Sequence, residues 1–374
     1  MAGISGLKFV EDVIFVYTMR MVENRRGMFR RAFSAASMFG FGWAGTASHK
    51  DQFAAGSEVK LPNIHVIRPE VAQKNDVLVS RKIVNELDRT KLNIRLYQYE
   101  TCPFCCKVRA YLDYHGFSYE IVEVNPVTRS QIKFSTDYKK VPIVRVNDEV
   151  SLTESSLVIS QLATLLIRPD RDMKEVLSMY PSVESTDDKG KPVLAHPNKY
   201  FVMQERSGTV AEMAAAKEER EWREWVDSHF IHLISPNVYR SWNESLETFR
   251  WFQEVGDWHR TFPSWERCLA VYAGAAAMWG LSKRLKKRHN IDDEREAMRS
   301  ACDKWMAAVG PTRKFMGGDR PNLADLSLYG AMQSFYGCAA FKECCSTGPI
   351  AEWYARMKAA VDRREGAHLL AARK

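Results

Sequence analysis

Between residues 93 and 166 the apolar positions change period several times, and each change marks an element. Asn93 to Tyr99 reads as a strand. Pro103 to His115 follows as a helix, with Val108, Tyr111, Leu112 and His115 recurring at helical spacing. Phe117 to Val124 is a second strand, closed by the turn signal Asn125-Pro126, and Thr128 to Ser135 is a short helix. Val141 to Val146 is a strand opening on an X-Pro bond. Asn147-Asp148 is hairpin chemistry before a strand at Glu149 to Leu152. Glu154-Ser155-Ser156 then starts a helix that runs through Leu166. From Lys199 onward only the helical period is found. It predicts helices over 199–206, 210–234, 243–255, 263–289, 291–309, 323–336 and 349–364, with breaks at Ser235-Pro236, Gly310-Pro311, Gly317-Gly318 and Gly348-Pro349. Asn322 with Asp325 three residues on has the form of a helix cap with a reciprocal acid.

The flanks differ in kind. Residues 51–91 are polar and mixed and predict a linker with one short helix from Asp76 to Leu87. Residues 168–198 hold Pro169, Pro181, Pro192 and Pro197 around a polar run, the composition of a linker or surface excursion. Residues 1–50 match neither half. Val13 to Tyr17 is a short apolar run after two acids, the wrong order for a secretory signal. Arg25 to Ser37 is Arg-, Ser- and Ala-rich, as in an organellar transit peptide. The uncharged stretch from Ala32 to Ser48 is shorter and richer in glycine than a spanning helix of ~20 apolar residues, so it reads as a weak anchor or a cleaved leader. The expected organisation is therefore a targeting or anchor segment (1–50), a linker (51–91), an α/β domain (92–167), a second linker (168–198) and an all-helical domain (199–366).

Composition narrows the chemistry. With 374 residues, 45% of them hydrophobic, the chain can build two packed cores. The net charge of +8 suits an anionic partner or a membrane surface. There is neither a nucleic-acid motif nor the interleaving of aromatics with basic residues that such binding uses, so no nucleic-acid partner is expected. Eight cysteines are too few for a disulfide scaffold, and without a second ligand pair at finger or ribbon spacing no metal site is expected. Only Cys102 and Cys105 form a C-x-x-C, and they sit where a strand hands over to a helix. The thiolate is the reactive form of cysteine, and a helix start stabilises it, so Cys102 is the candidate nucleophile and Cys105 the resolving thiol. Lys107 and Arg109 add positive charge nearby, and Cys106 reads as a small buried residue. Val141-Pro142 opens a strand on an X-Pro bond, with a cis or a strand-initiating trans proline as the alternatives. Glu154 and Ser155 lie at a helix start that could take a carboxylate or act as an ordinary cap. His229 and His232 share a helix face among Trp222, Trp225 and Phe230, and the run Lys283 to His289 ends a long helix. Each suits either a ligand pocket or a helix C-terminus. Gly274-Ala275-Ala276-Ala277 allows close helix packing or a flat ligand.

The β-α-β-α-β-β-α order with a C-x-x-C after its first strand resembles the thioredoxin-like (glutaredoxin) fold, and the helical half behind it resembles the all-α domain of glutathione transferases. More specific runs are Leu96 to Cys105, Val122 to Pro126, Lys140 to Ile143, His232 to Arg240, Gly274 to Met278, Ser282 to Lys286, Phe315 to Gly318 and Pro321 to Leu326. Together they resemble the membrane-associated prostaglandin E synthase family of the second type, over roughly residues 90–360. That resemblance implies isomerisation of a small lipid peroxide, prostaglandin H2, to prostaglandin E2 with a thiol as activator; a glutathione-dependent thiol oxidoreductase or transferase and a non-enzymatic haem–glutathione binding protein are the alternatives. It implies Tyr99 and Phe104 shaping the site at Cys102, and glutathione held by Val141, Glu154 and Ser155 beside Pro142. It also implies a homodimer and, in some members, haem with His229, His232, Arg284 and Arg288 near its propionates. Membrane association, mitochondrial or on the cytoplasmic face of the Golgi or another endomembrane, is the expected location. Two departures stand out: Glu154 replaces Asp, and Cys106 replaces a hydroxyl residue.

Overall fold

The computed structural model describes residues 63–69, 77–186, 190, 192–204 and 208–372. The expected leader or anchor at 1–50 lies outside them.

Six strands form one sheet in the order β1-β2-β4-β3-β5-β6: β1 (Ile64–Ile67), β2 (Arg81–Asn85), β3 (Ile94–Gln98), β4 (Tyr119–Glu123), β5 (Ile143–Val146) and β6 (Val150–Thr153). β3 and β4 are parallel, with Leu96 opposite Ile121. Helix α1 (Pro103–His115) provides the crossover between them. β3 and β5 are antiparallel, as are β5 and β6. The three-residue β5–β6 turn carries Asn147 and Asp148 at φ 53° and 56°, a left-handed pair that Asn and Asp tolerate better than most residues. Helix α2 (Ser155–Ile167) follows β6 and packs beside α1. This is the thioredoxin-like arrangement, extended at one edge by β1 and β2.

That edge corrects the expected helix from Asp76 to Leu87. Its described part carries β2, because Arg81, Lys82 and Ile83 pair with Ile121, Glu120 and Tyr119 of β4. The helix expected over 128–135 shrinks to a single 3-10 turn at Ser130–Ile132. The stretch 168–198 is more than a linker. It holds α3 (Met173–Ser178) and an exposed hairpin of β7 (Val183–Thr186) and β8 (Pro192–Ala195).

The remainder is helical: α4 (Val210–Trp225), α5 (Ile231–Val238), α6 (Trp242–Val255), α7 (Trp258–Thr261), α8 (Ser264–Arg288), α9 (Glu294–Val309), α10 (Leu323–Gln333), α11 (Ala339–Cys344), α12 (Gly348–Asp362) and α13 (Ala367–Ala371). No helix occupies 199–204, where one was expected. The expected break at Ser235-Pro236 is also absent, since Pro236 lies inside α5. A π turn at Val226–Phe230 joins α4 to α5 and adds one residue to that turn. Asn322 caps α10 as its spacing predicts: its side chain accepts from Ala324 and Asp325 N–H, and Asp325 returns to Asn322 N–H at 3.0 Å. Asp325 also accepts from Met316 N–H, Gly317 N–H and Trp353 Nε1, which ties the Phe315–Gly318 loop to α12.

One apolar core runs through both layers. α10 lies along α1, and a Cβ on Gly330 would stand 2.5 Å from Lys107 Cα, so only glycine permits this approach. In the same way Gly274 of α8 meets the Phe249 ring of α6, so the small-residue run serves helix packing there. No described helix is long and apolar enough to cross a membrane.

Candidate functional site

β3 delivers the chain to Tyr99, and Cys102 occupies the N-cap position of α1 with Pro103 opening the helix. Cys102 N–H donates to the Tyr99 carbonyl at 3.1 Å, and Cys106 N–H donates to the Cys102 carbonyl at 2.8 Å. Cys102, Cys105 and Cys106 are free thiols. Cys102 is half-buried and the other two are fully enclosed. Burial, then a hydrogen bond with Cys102, pushes the Cys105 thiol well above its ordinary value. Burial pushes Cys106 up to about 12 against the opposing Arg109. Cys102 is thus the thiol of the three that a substrate can reach, with a protonated Cys105 hydrogen-bonded to it.

Tyr99, Cys102, Cys105 and Val141 meet in a small apolar cluster with Tyr97 and Ile143, and the Val141–Pro142 bond is cis. Arg129 hydrogen-bonds the Tyr99 phenol, whose pKa burial raises to about 12. Phe104 is half-buried, with Lys107 Nζ 5.9 Å from its ring centre. Glu154 takes the N-cap position of α2 at φ 64° without a side-chain cap, and Ser155 follows it, buried. Among the described residues no side-chain acceptor caps the first turn of α2, an arrangement that fits a ligand carboxylate.

The two basic residues expected to bathe the sulfur face elsewhere. Lys107 is fully buried and pairs with Asp227, and it also donates to Ser156 Oγ at 2.8 Å. Ser156 and Tyr200 hydroxyls donate to the same carboxylate at 2.6 and 3.0 Å. Burial opposes ionisation of Asp227, but Lys107 holds its carboxyl below the ordinary value. The π turn carries Asp227, so this pair fastens the helical layer to α1 and to the start of α2.

Arg109 belongs to a second buried network, beneath the loop before Cys102. It pairs with Glu100 at 3.0 Å, donates to Gln98 Oε1 at 2.8 Å and touches Cys106 Sγ at 3.3 Å. Arg81 of β2 pairs with Glu100 from the other side. Glu123, at the end of β4, accepts the Glu100 N–H at 2.8 Å and a Gln98 Nε2 bond at 3.3 Å. Burial, then the neighbouring Glu100 carboxylate, raises Glu123 to about 8. Sequence reasoning missed this network. The available signal was an acid set between Val122 and Val124.

His229 and His232 do converge, though not on the dithiol loop. The His232 ring stacks on His289 with centroids 4.5 Å apart, and His229 packs on Trp225 at 5.5 Å. Burial, then His289 and Arg288, lowers His232 to about 4, so its imidazole is neutral at neutral pH. His289 Nε2 is a buried atom without a partner among the described residues. Arg284 lies exposed on α8 and no described contact joins it to this cluster.

Residues 96–165 match the family model described as glutathione S-transferase, N-terminal domain. The chain is similar to Prostaglandin E synthase 2 of Danio rerio, with 46% identity over 280 residues, 74% of this chain and 73% of that protein. It is also similar to the protein of that name from Mus musculus, with 44% identity over 284 residues, 74% of this chain and 72% of that protein. Among solved structures, glutathione transferase F7 from Populus trichocarpa matches 73% of this chain and 99% of its own at 15% identity, with a TM-score of 0.39.

Proposed function

The chain belongs to the prostaglandin E synthase 2 family, and from that premise we propose that it isomerises the endoperoxide prostaglandin H2 to prostaglandin E2 at Cys102. The observation that carries the site assignment is the half-buried Cys102 at the start of α1, next to a deeply buried, protonated Cys105. In this reading the Cys102 thiolate attacks one peroxide oxygen. The O–O bond breaks, loss of the adjoining C–H proton forms the ketone, and the thiolate departs unchanged. The neutral walls of the small cluster at Tyr99 and Val141 exclude water from the S–O bonded intermediate, and Phe104 lies next to Cys102 in the chain.

Glutathione is the proposed cofactor, and when bound it supplies a second thiol next to Cys102. The uncapped start of α2 suits its γ-glutamyl carboxylate, Glu154 its ammonium group, and the Val141-Pro142 segment its extended backbone. Purified protein with a thiol should convert prostaglandin H2 to prostaglandin E2, and Cys102→Ser should reduce that to the uncatalysed rate. Undiminished turnover in the variant would refute the assignment.

A haem–glutathione form is the second reading, favoured by the unpartnered His289 Nε2 among neutral imidazoles beside Arg288. There His229, His232 and Arg288 would meet the propionates, with Arg284 further out. A Soret band that appears only when glutathione is added supports it, and no band under those conditions excludes it. Association with a membrane, mitochondrial or endomembrane, and a homodimer are proposed as well, supported by the character of residues 1–50 and by the family resemblance.

A further inference from the structure

The helical half carries a second pair of thiols that the chemistry above does not use. Cys302 lies on α9 and Cys345 directly follows α11, and their sulfurs stand 3.9 Å apart, both buried. Among the described residues no group of three His, Cys, Asp or Glu side chains could hold a metal ion, so the pair is not part of a metal site. A thiol–thiol contact of this length is a weak hydrogen bond, and a small shift of the two side chains brings the sulfurs to bonding distance, about 2 Å. The chain around the pair is already tied together. Two turns before Cys302, on the same face of α9, Arg295 pairs with Glu343 of α11 at 2.7 Å and with Glu244 of α6 at 3.0 Å. Cys345 N–H donates to the Phe341 carbonyl at 2.8 Å.

Access to the pair is through α11. That helix has six residues, with Lys342 and Glu343 exposed on its outer side. Its start lies over a cavity of about 40 Å³, lined by Glu244 and Thr248 of α6 and by Cys338 to Ala340. A helix this short, with a void beneath its first turn, opens locally at lower cost than the core around it. Cys344, next to Cys345 in the chain, turns instead to the Arg295 carbonyl, with its sulfur at 3.6 Å. Position in the fold thus singles out Cys345 as the partner of Cys302.

We propose that Cys302 and Cys345 form a reversible disulfide, a second redox site of this chain whose oxidant is a hydroperoxide. The site is separate from Cys102 and stands whether or not Cys102 is the nucleophile. When α11 opens, one thiol, as thiolate, attacks the terminal oxygen of the hydroperoxide. The O–O bond breaks, the alkoxide takes up a proton and leaves as an alcohol, and the sulfur is left as a sulfenic acid. The second thiol attacks that sulfur, expels water and closes the S–S bond. In total two thiols give up two electrons and two protons, and the hydroperoxide becomes an alcohol and water. A dithiol reductant returns the same electrons and protons. The bond ties α9 to the end of α11 across 43 positions of chain, and it constrains the unfolded chain more than the folded one, where the sulfurs are already in contact.

The test uses the full chain with hydrogen peroxide as the probe. After oxidation the free thiols are blocked with iodoacetamide and the peptides are mapped by mass. A cross-linked pair joining Cys302 to the segment that holds Cys344 and Cys345, separated by dithiothreitol, is the expected product. Cys344→Ala should keep the cross-link and Cys345→Ala should lose it. In a Cys102→Ser, Cys105→Ser background, oxidation should raise the thermal midpoint by about 5 °C, a shift that dithiothreitol reverses and Cys302→Ala abolishes. Cys302 and Cys345 that both remain open to alkylation after denaturation, in a parent protein whose Cys102 and Cys105 have been oxidised, overturn the proposal. A cross-link that survives Cys345→Ala overturns the pairing. An unchanged or lowered midpoint with the cross-link complete shows that the bond does not fit the folded pair, and overturns it too.

Discussion

Replacing Glu123 by glutamine should remove a pH dependence of stability that the buried acid network imposes. Glu123 is 4% exposed, its Oε1 accepts the Glu100 N–H, and it lies beside the Glu100 carboxylate that Arg81 and Arg109 already neutralise. Its carboxyl is raised from 4.5 to about 8. An unfolded chain releases this proton near the ordinary value, whereas the folded protein keeps it to about 8. Between those points the folded state binds more protons. The contribution is therefore fully present below the unfolded value, falls as pH rises through the interval, and levels off above about 8. A gap of about 3.5 pH units at about 1.4 kcal/mol each sets a ceiling of about 5 kcal/mol. Part of the shift comes from burial and part from the neighbouring Glu100 carboxylate, so the loss should lie below that ceiling. Glutamine has nothing to ionise and still accepts the Glu100 N–H. Urea midpoints of parent and Glu123→Gln should thus diverge from pH 5 to pH 8.5 in favour of the variant, then run parallel. Midpoints that stay parallel across the whole range would refute the reasoning.

Two further substitutions probe how the layers are joined. Asp227→Ala strands the Lys107 ammonium in the core and should cost about 3–5 kcal/mol in chemical denaturation, and adding Lys107→Met should recover much of it. Equal losses in the single and double variants would show that the charge is not the cause. Gly330→Ala puts a methyl 2.5 Å from the Lys107 backbone, forces α10 off α1, and should destabilise by about 1–3 kcal/mol. It should also slow turnover, because α1 begins at Cys102. An unchanged melting temperature would count against so close a contact.

The site was legible in part. Pro103 after Cys102, the apolar period of α1, and Asn147-Asp148 each act over a few residues, and all three elements appear where the pattern puts them. The Asn322–Asp325 cap was visible for the same reason. Other features needed partners distant in the chain. β2 was read as a helix because its few residues follow no clear period, and only pairing with β4 makes it a strand. Pro236 suggested a helix end, yet the helix passes through it, tied to α9 where Asn237 Nδ2 donates to the Glu294 carbonyl at 2.7 Å. Lys107 and Arg109 looked like charges for the sulfur, and Asp227, far along the chain, and Glu100, just before Cys102, claim them instead.

The sequence by itself determined that a dithiol would stand at a strand-to-helix junction in a thioredoxin-like layer followed by helices. Local dihedral preference and apolar period suffice for that, since both act within one turn or one strand. Only the tertiary structure decided which thiol is reachable, that the Val141–Pro142 bond is cis, and that Asp227 claims Lys107. Burial and charge pairing are properties of separate segments brought together, as Lys107 and Asp227 are from 120 positions apart, and no local pattern records them.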